Sequence, residues 1–176
     1  LKAGEFEPEG VEVVFQGGRI DRVDTMETDD GKLYVRVIDY KTGNTSFDLV
    51  SLYHGLQLQL MVYMDGALTV EKNKHKDKDV IPAGVFYYNI KDPMIQEKID
   101  ADVDTVRQKV LKELKMNGLV QADRELVEKM DSSYVSLPVS FNKDGSFRRN
   151  SSVATREQFD ILNRYVKTKI SHIRKA

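Results

Sequence analysis

Two acidic residues and a lysine have the types and the spacing that metal-assisted phosphodiester hydrolysis needs. Asp39 and Lys41 are two residues apart in an alternating segment, so both side chains leave the same face of one predicted strand. Asp21 lies in the preceding predicted strand, and a hairpin would bring it to cross-strand distance from Asp39. Two neighbouring carboxylates repel each other, and a hard divalent cation that binds both relieves the repulsion. A nearby ammonium would then polarise a phosphate or orient the attacking water.

An Asp and a Lys two residues apart are also common as a solvated surface pair. Here Val35 and Val37 share the parity of Asp39 and Lys41, so the charged pair continues a face that is predicted to be buried. Burying a charge without a partner or a metal costs several kcal/mol. The pattern therefore favours a functional site over a surface pair.

Gln59 and Tyr63 extend the candidate site. They are four residues apart in a predicted helix, and they share a face with Leu52 and Leu56, which we expect to pack on the sheet. A glutamine on a core face needs a hydrogen-bond partner. The charged cluster or a scissile phosphate could supply that partner, and a local backbone group is the alternative.

Hydrophobic periodicity defines the elements that must position these residues. Short β-rich or alternating runs predict strands, of which the first three would form an antiparallel meander, at 11–15, 19–26, 33–41, 83–90 and 136–141. Steps of three and four predict helices at 47–68, 102–115 and 124–130. A last helix is predicted from Thr155 as its N-cap, with Phe159, Leu162 and Val166 on its apolar stripe. Turn residues 29–32 and 143–145 and a charged loop at 71–79 separate these elements. We expect a single α/β domain over 1–176, with a core at 10–92 and a C-terminal extension at 93–176.

Composition excludes several classes of protein. The 176 residues contain no Cys, which rules out disulfides, zinc–thiolate sites and iron–sulfur clusters within them. The net charge is −1, so no overall positive field indicates a nucleic-acid partner. No apolar run approaches the roughly 20 residues of a transmembrane helix, and we expect a cytoplasmic protein with no membrane partner. The first residue is Leu1 rather than Met, which indicates a piece of a longer protein.

Three motifs in a fixed order resemble the PD-(D/E)XK nuclease superfamily in its RecB-like branch, and within it the nuclease domains of bacterial ATP-dependent helicase–nucleases. They are Gly18-Arg19-Ile20-Asp21-Arg22-Val23-Asp24, Val37-Ile38-Asp39-Tyr40-Lys41-Thr42-Gly43 and Gln59-Leu60-Met61-Val62-Tyr63. Further resembling stretches at 83–89, 118–120, 143–147 and 154–159 extend the match over nearly the whole chain.

The resemblance implies a restriction-endonuclease-like α/β fold, with a mixed sheet, flanking helices and an antiparallel meander. The first core helix of the family would be absent from this chain. The resemblance also implies that Asp21, Asp39 and the backbone carbonyl of Tyr40 ligate Mg²⁺ or Mn²⁺, that Lys41 is the catalytic lysine, and that Gln59 and Tyr63 contact the active site or the DNA. Asp24 is a weaker candidate because it should point to the opposite face from Asp21. Arg19 and Arg22 are either phosphate contacts or partners of acidic residues.

The implied activity is a metal-dependent DNA exonuclease that trims a single strand fed by a helicase, the 5′-ended one, in double-strand-break repair by recombination. The implied partners are DNA and the A subunit of the helicase–nuclease, and the implied full-length protein carries an iron–sulfur cluster that this chain lacks. Two alternatives stay open: a catalytically inactive DNA-binding or scaffold module of the same fold, and an adaptor that binds only protein.

Overall fold

The computed structural model describes residues 19–90 and 102–175, which contain one five-stranded sheet and five helices. The strands, in their order across the sheet, are β1 (Arg22–Glu27), β2 (Lys32–Lys41), β3 (Asp79–Asn89), β4 (Asn117–Gln121) and β5 (Val153–Ala154). The helices are α1 (Leu49–Tyr53), α2 (Gln59–Lys74), α3 (Val103–Glu113), α4 (Arg124–Met130) and α5 (Arg156–Lys175). The strand predicted at 11–15 lies outside the described residues.

The sheet is mixed, as predicted. β1 and β2 form an antiparallel hairpin with Arg22 opposite Ile38, and Gly31 takes a φ of 79° in the turn between them. β2 and β3 are parallel and are connected through α1 and α2. β3 and β4 are antiparallel, and β4 and β5 are parallel. β4 and β5, which are only five and two residues long, were not predicted from the sequence.

Two apolar layers enclose the sheet. On one face, α2 packs against β2 and β3, and α5 packs against α2 and β3. The buried side chains of this layer include Val35, Val37, Leu60, Met64 and Val166. The other face is covered by α4 and the 137–139 segment, with Ile38, Phe86, Val120, Val127 and Leu137 buried. Alternate residues of β2 therefore contribute to both layers, which fixes the face to which each β2 side chain points.

The single helix predicted over 47–68 is wrong, because the structure breaks it in two. α1 ends in a glycine cap in which Gly55, at a φ of 83°, donates its N–H to the Leu52 carbonyl, and Leu56 donates to the Ser51 carbonyl. Gln57 also takes a positive φ of 55°, so α2 begins only at Gln59. The break leaves Leu56 62% exposed, so that it does not pack on the sheet as expected.

Four other expectations also need correction. α2 continues to Lys74, so much of the predicted 71–79 loop is helical. β3 begins at Asp79, earlier than the predicted strand. α3 exists, but two of the apolar residues whose spacing predicts the helix, Val103 and Leu111, are 78% and 40% exposed rather than packed on an inner side. The strand predicted at 136–141 is absent, and Asp131 accepts the backbone N–H groups of Ser136 and Leu137, which a strand would donate to its neighbour.

The ends of two helices agree with the prediction. α4 has the predicted bounds, and the Asp123 carboxylate accepts the N–H of Leu126 as its N-cap. At the start of α5, the Thr155 hydroxyl accepts the N–H of Gln158, and the Gln158 side chain accepts the N–H of Thr155. This reciprocal pair is a capping box.

Candidate active site

Asp39 lies near the carboxyl end of β2 and is only 3% exposed. It points to the same side of the sheet as Val35 and Val37, as their shared parity predicts. Its Oδ2 atom lies 2.6 Å from Lys41 Nζ, but no described residue gives this buried oxygen a well-directed hydrogen bond. The carboxylate is therefore charge-compensated from one side and retains acceptor capacity.

Lys41 links Asp39 to the neighbouring helix and strand. Its Nζ donates to Gln59 Oε1 at 3.0 Å and lies 5.3 Å from the centre of the Tyr87 ring. Burial raises the pKa of Tyr87, and the nearby Asp39 carboxylate and Tyr63 add to that rise. The Tyr87 ring offers the ammonium an uncharged aromatic face.

Gln59 and Tyr63 join the same group. Gln59 Nε2 donates to the Tyr63 hydroxyl at 2.8 Å, across one turn of α2. The expectation that Gln59 lies on a core face is wrong, because it is the exposed first residue of α2. Its carboxamide nevertheless bridges Lys41 and Tyr63, so the charged cluster supplies the predicted hydrogen-bond partner.

Asp21 approaches the same end of β2 from the hairpin partner. Continuing the β1–β2 register by one residue sets Asp21 opposite Asp39, and Asp21 Oδ2 accepts the backbone N–H of Tyr40 at 3.0 Å. The N–H and C=O of one residue in an extended strand point to the same side. The Tyr40 carbonyl therefore faces the strand edge at which the Asp21 carboxylate lies.

The donor set fits a hard divalent cation. Among the described residues, no group of three or more His, Cys, Asp or Glu side chains could hold a metal, so a cation at this end of β2 would have to be held by Asp21, Asp39 and a backbone carbonyl. Mg²⁺ and Mn²⁺ prefer oxygen ligands, and Mg²⁺ commonly keeps several waters beside one or two carboxylates. The buried Asp39 Oδ2, which lacks a directed hydrogen bond, is the observation that favours a cation at this position.

Asp24 and its arginine partners form a separate cluster on the other face, as predicted for Asp24. Asp24 accepts from Arg22 Nε at 2.8 Å and from Arg36 Nε at 3.0 Å. Burial alone would raise the pKa of Asp24, but the hydrogen bonds from Arg22 and Arg36 outweigh it and lower the pKa. Arg22 is thus a partner of an acid, which was one of the two roles considered for it. Arg19 is exposed.

Two residues at the site were missed in the sequence. Asn89, opposite Lys41 in the β2–β3 register, accepts the N–H of Thr45 at 3.1 Å and donates to the Thr45 carbonyl at 3.0 Å. It thereby fixes the loop that leaves β2. Tyr87 stands two residues earlier, on the same face of β3. The polar end of the predicted strand was the signal for both.

Comparison with known protein families places the chain in one superfamily. A model of the PD-(D/E)XK nuclease superfamily matches residues 1–176. The chain belongs to the PD-(D/E)XK nuclease superfamily. The five-stranded mixed sheet with flanking helices is consistent with the core of that superfamily, whose members generally use a divalent metal ion.

The chain is also similar, along most of its length, to part of a longer protein, AddB. AddB is the B subunit of an ATP-dependent helicase/deoxyribonuclease. AddB of Lachnoclostridium phytofermentans is 43% identical over 188 aligned residues, covering 95% of this chain and 16% of the relative. The AddB proteins of Clostridium acetobutylicum and Clostridioides difficile are 37% and 36% identical, over 95% and 98% of the chain. The chain thus spans 16–17% of the length of these relatives. None of the described helices is long and apolar enough to cross a membrane.

Proposed function

We propose that this chain is the metal-dependent nuclease domain of an AddB-type protein in an ATP-dependent helicase–nuclease, and that it hydrolyses DNA phosphodiesters in double-strand-break repair by homologous recombination. The superfamily supports nuclease chemistry, and the AddB relatives, named as part of a helicase/deoxyribonuclease, support the setting. The observation that carries the proposal is the buried Asp39 carboxylate, which is paired with Lys41 and lacks a directed hydrogen bond at Oδ2.

Asp21, Asp39 and the Tyr40 carbonyl would hold Mg²⁺ or Mn²⁺. A bound divalent cation lowers the pKa of water and offsets charge on the phosphate. The Lys41 ammonium, fixed between Asp39 and Gln59, presents a positive charge to the phosphate as negative charge develops in the transition state. Because Gln59 in turn bonds Tyr63, the lysine is held in place before substrate arrives.

The substrate is a DNA strand delivered by a helicase, and the resemblance indicates the 5′-ended strand. The partner is the AddA-like A subunit of the helicase–nuclease. In the full-length protein, an iron–sulfur cluster built from cysteines outside this chain would stabilise the domain.

The test is strand-specific cleavage by the intact helicase–nuclease that carries Asp39→Ala. Each strand of a duplex is labelled at one end, and cleavage is followed in Mg²⁺ with ATP. We expect cutting of one strand to fall by at least about 100-fold, while unwinding and cutting of the other strand continue. Asp24→Ala is the matched control, because it removes a carboxylate from the same strand pair on the opposite face. Unchanged cutting in Asp39→Ala would support the inactive scaffold instead.

A further inference from the structure

Tyr53, an exposed tyrosine at the end of α1, stacks on the buried Tyr165 of α5. The Tyr53 ring is 51% exposed and stacks on the Tyr165 ring with 5.7 Å between centroids and 7° between planes. Tyr165 is 4% exposed, and its hydroxyl donates to the backbone carbonyl of Tyr53. The inner ring is therefore fixed by the core, and the outer ring presents an aromatic surface to solvent.

A lysine accompanies the stacked rings. Lys169 Nζ lies 5.7 Å from the centre of Tyr53 and 5.4 Å from that of Tyr165. No described carboxylate lies within salt-bridge distance of Lys169. The positive charge beside the two tyrosine rings is therefore not neutralised by an acidic side chain of the described residues. The His54 ring meets Tyr53 edge-on at 5.3 Å and adds a third ring to the surface.

The surrounding charge favours a polyanion. The last 16 residues, 161–176, contain no Asp or Glu, and their basic residues are Arg164, Lys167, Lys169, Arg174 and Lys175. Asp65 of α2 compensates one of them, through a 2.8 Å contact with Lys167. The chain as a whole carries a net charge of −1, so this basic excess is local to α5.

The surface lies on the side of the sheet that carries the candidate active site. Tyr165 packs in the same buried layer as Val35 and Val37, which share a face with Asp39. Tyr53 precedes Gln59 by six residues, so the two Cα atoms are at most about 22 Å apart. A single strand could therefore contact both places at once.

We propose that Tyr53, with Lys169 beside it, is a stacking site for single-stranded nucleic acid that leads the strand to Asp39 and Lys41. This inference rests on the proposed function, whose active site it extends. Aromatic rings that accept bases, combined with cations that follow the phosphates, are how proteins bind single strands without sequence preference. Val50 and Leu56 of the same region are also exposed, which suits a protein partner, but the excess of Lys and Arg on α5 favours the nucleic acid.

The direct test is photo-crosslinking of an oligodeoxynucleotide that contains 5-iododeoxyuridine to the intact helicase–nuclease. The protein carries Asp39→Asn and the buffer contains EDTA, so that neither cleavage nor the metal enters the readout. We expect a crosslinked peptide that includes Tyr53, and we expect Tyr53→Ala to remove it. Tyr134→Ala, which removes another partly exposed tyrosine, is the matched control and should leave the crosslink in place.

Steady-state cleavage of single strands by the enzyme that retains Asp39 gives the second readout. Tyr53→Ala should raise KM about tenfold, a loss of about 1.4 kcal/mol, with kcat within about twofold, because one base loses its stacking partner. Tyr53→Phe should restore the parental KM. Lys169→Gln should reduce the slope of log affinity against log salt by about one, compared with Lys76→Gln on an exposed loop. If Tyr53→Ala does not fold, Tyr53→Leu is measured in its place, because leucine keeps an apolar contact with Tyr165 but offers no aromatic ring for stacking.

The outcomes separate this inference from the proposed function. A crosslink at Tyr53 together with an unaffected Asp39→Ala enzyme would retain the stacking site and reject the catalytic assignment. Crosslinks that map elsewhere, with an unchanged KM in Tyr53→Ala, would overturn the stacking site alone. Loss of association with the AddA-like partner in Tyr53→Ala, with the variant still crosslinking to the oligonucleotide as strongly as the parental protein, would also overturn it and assign the surface to a protein partner.

Discussion

Two charged clusters lie on opposite faces of the same strand pair, and they differ in how completely their carboxylates are satisfied. Asp24 receives directed hydrogen bonds from Arg22 and Arg36, and its side chain is 28% exposed. Asp39 is almost fully buried, yet its Oδ2 atom has an ammonium nearby and no directed hydrogen bond from the described residues. The partly exposed acid is the better satisfied of the two.

This difference separates a structural cluster from a functional one. A buried carboxylate with spare acceptor capacity costs folding free energy unless something binds it, whereas a carboxylate shared by two arginines contributes to stability. Substitutions in the Asp39 cluster should therefore affect catalysis, and substitutions in the Asp24 cluster should affect stability.

Lys41→Gln should have the largest effect after loss of Asp39 itself. It removes the positive charge between Asp39 and Gln59, and we expect kcat of the intact helicase–nuclease to fall by about 100- to 1,000-fold. Lys32→Gln, at the exposed start of the same strand, is the control and should stay within about twofold of the parental rate. Equal losses in the two variants would mean that the charge of β2, rather than the position of Lys41, matters.

Gln59→Leu should have an intermediate effect. Without the carboxamide, Lys41 loses its hydrogen bond to α2 and samples more rotamers, so kcat should fall by about tenfold while KM changes little. Tyr63→Phe, which removes the acceptor of Gln59 Nε2, should give a smaller loss in the same direction. Tyr134→Phe is the matched control, and a comparable loss there would contradict a positioning role for this pair.

Asp24→Asn should have the smallest effect on activity and a measurable effect on stability. We expect the free energy of unfolding in urea to fall by about 1 kcal/mol at pH 7 and cleavage to be unchanged. The pKa of Asp24 is lowered from 3.8 in the folded protein, so its stabilisation is complete above that value and is lost as pH falls through the lowered pKa. The gap between parental and variant proteins should therefore close below about pH 3.8. A gap that widens there would contradict the pairing.

The hairpin and the placement of the site residues on it could be predicted because they depend on local rules. Alternation along β2 fixes the face of Asp39 and Lys41. The turn around Gly31 sets a β1–β2 register that, continued by one residue, places Asp21 opposite Asp39. The opposite orientation of Asp24 follows from the same parity. None of these inferences required knowledge of what packs on the sheet.

The wrong predictions concern places where a cap, a side-chain hydrogen bond or a long-range contact determines the structure. Hydrophobic periodicity carries no information about these interactions. The apolar pattern continues in phase through Gly55, so it gave no sign that this glycine would cap α1 and leave Gln59 at the start of a new helix. The segment 136–141 has strand character, but Asp131 accepts the backbone N–H groups of Ser136 and Leu137, so these two groups are not donated to a neighbouring strand. The stacking of Tyr53 on Tyr165 joins residues 112 apart in sequence, which no local pattern encodes.

Mn²⁺ binding measured by calorimetry on the nucleotide-free protein tests most directly whether the Asp39 cluster is the one that needs a ligand. We predict that the parental protein and Asp24→Asn bind Mn²⁺ with the same affinity and that Asp39→Asn binds it at least about tenfold more weakly. Equal affinity in Asp39→Asn and the parental protein, or a loss confined to Asp24→Asn, would contradict the assignment of the cation to the carboxyl end of β2.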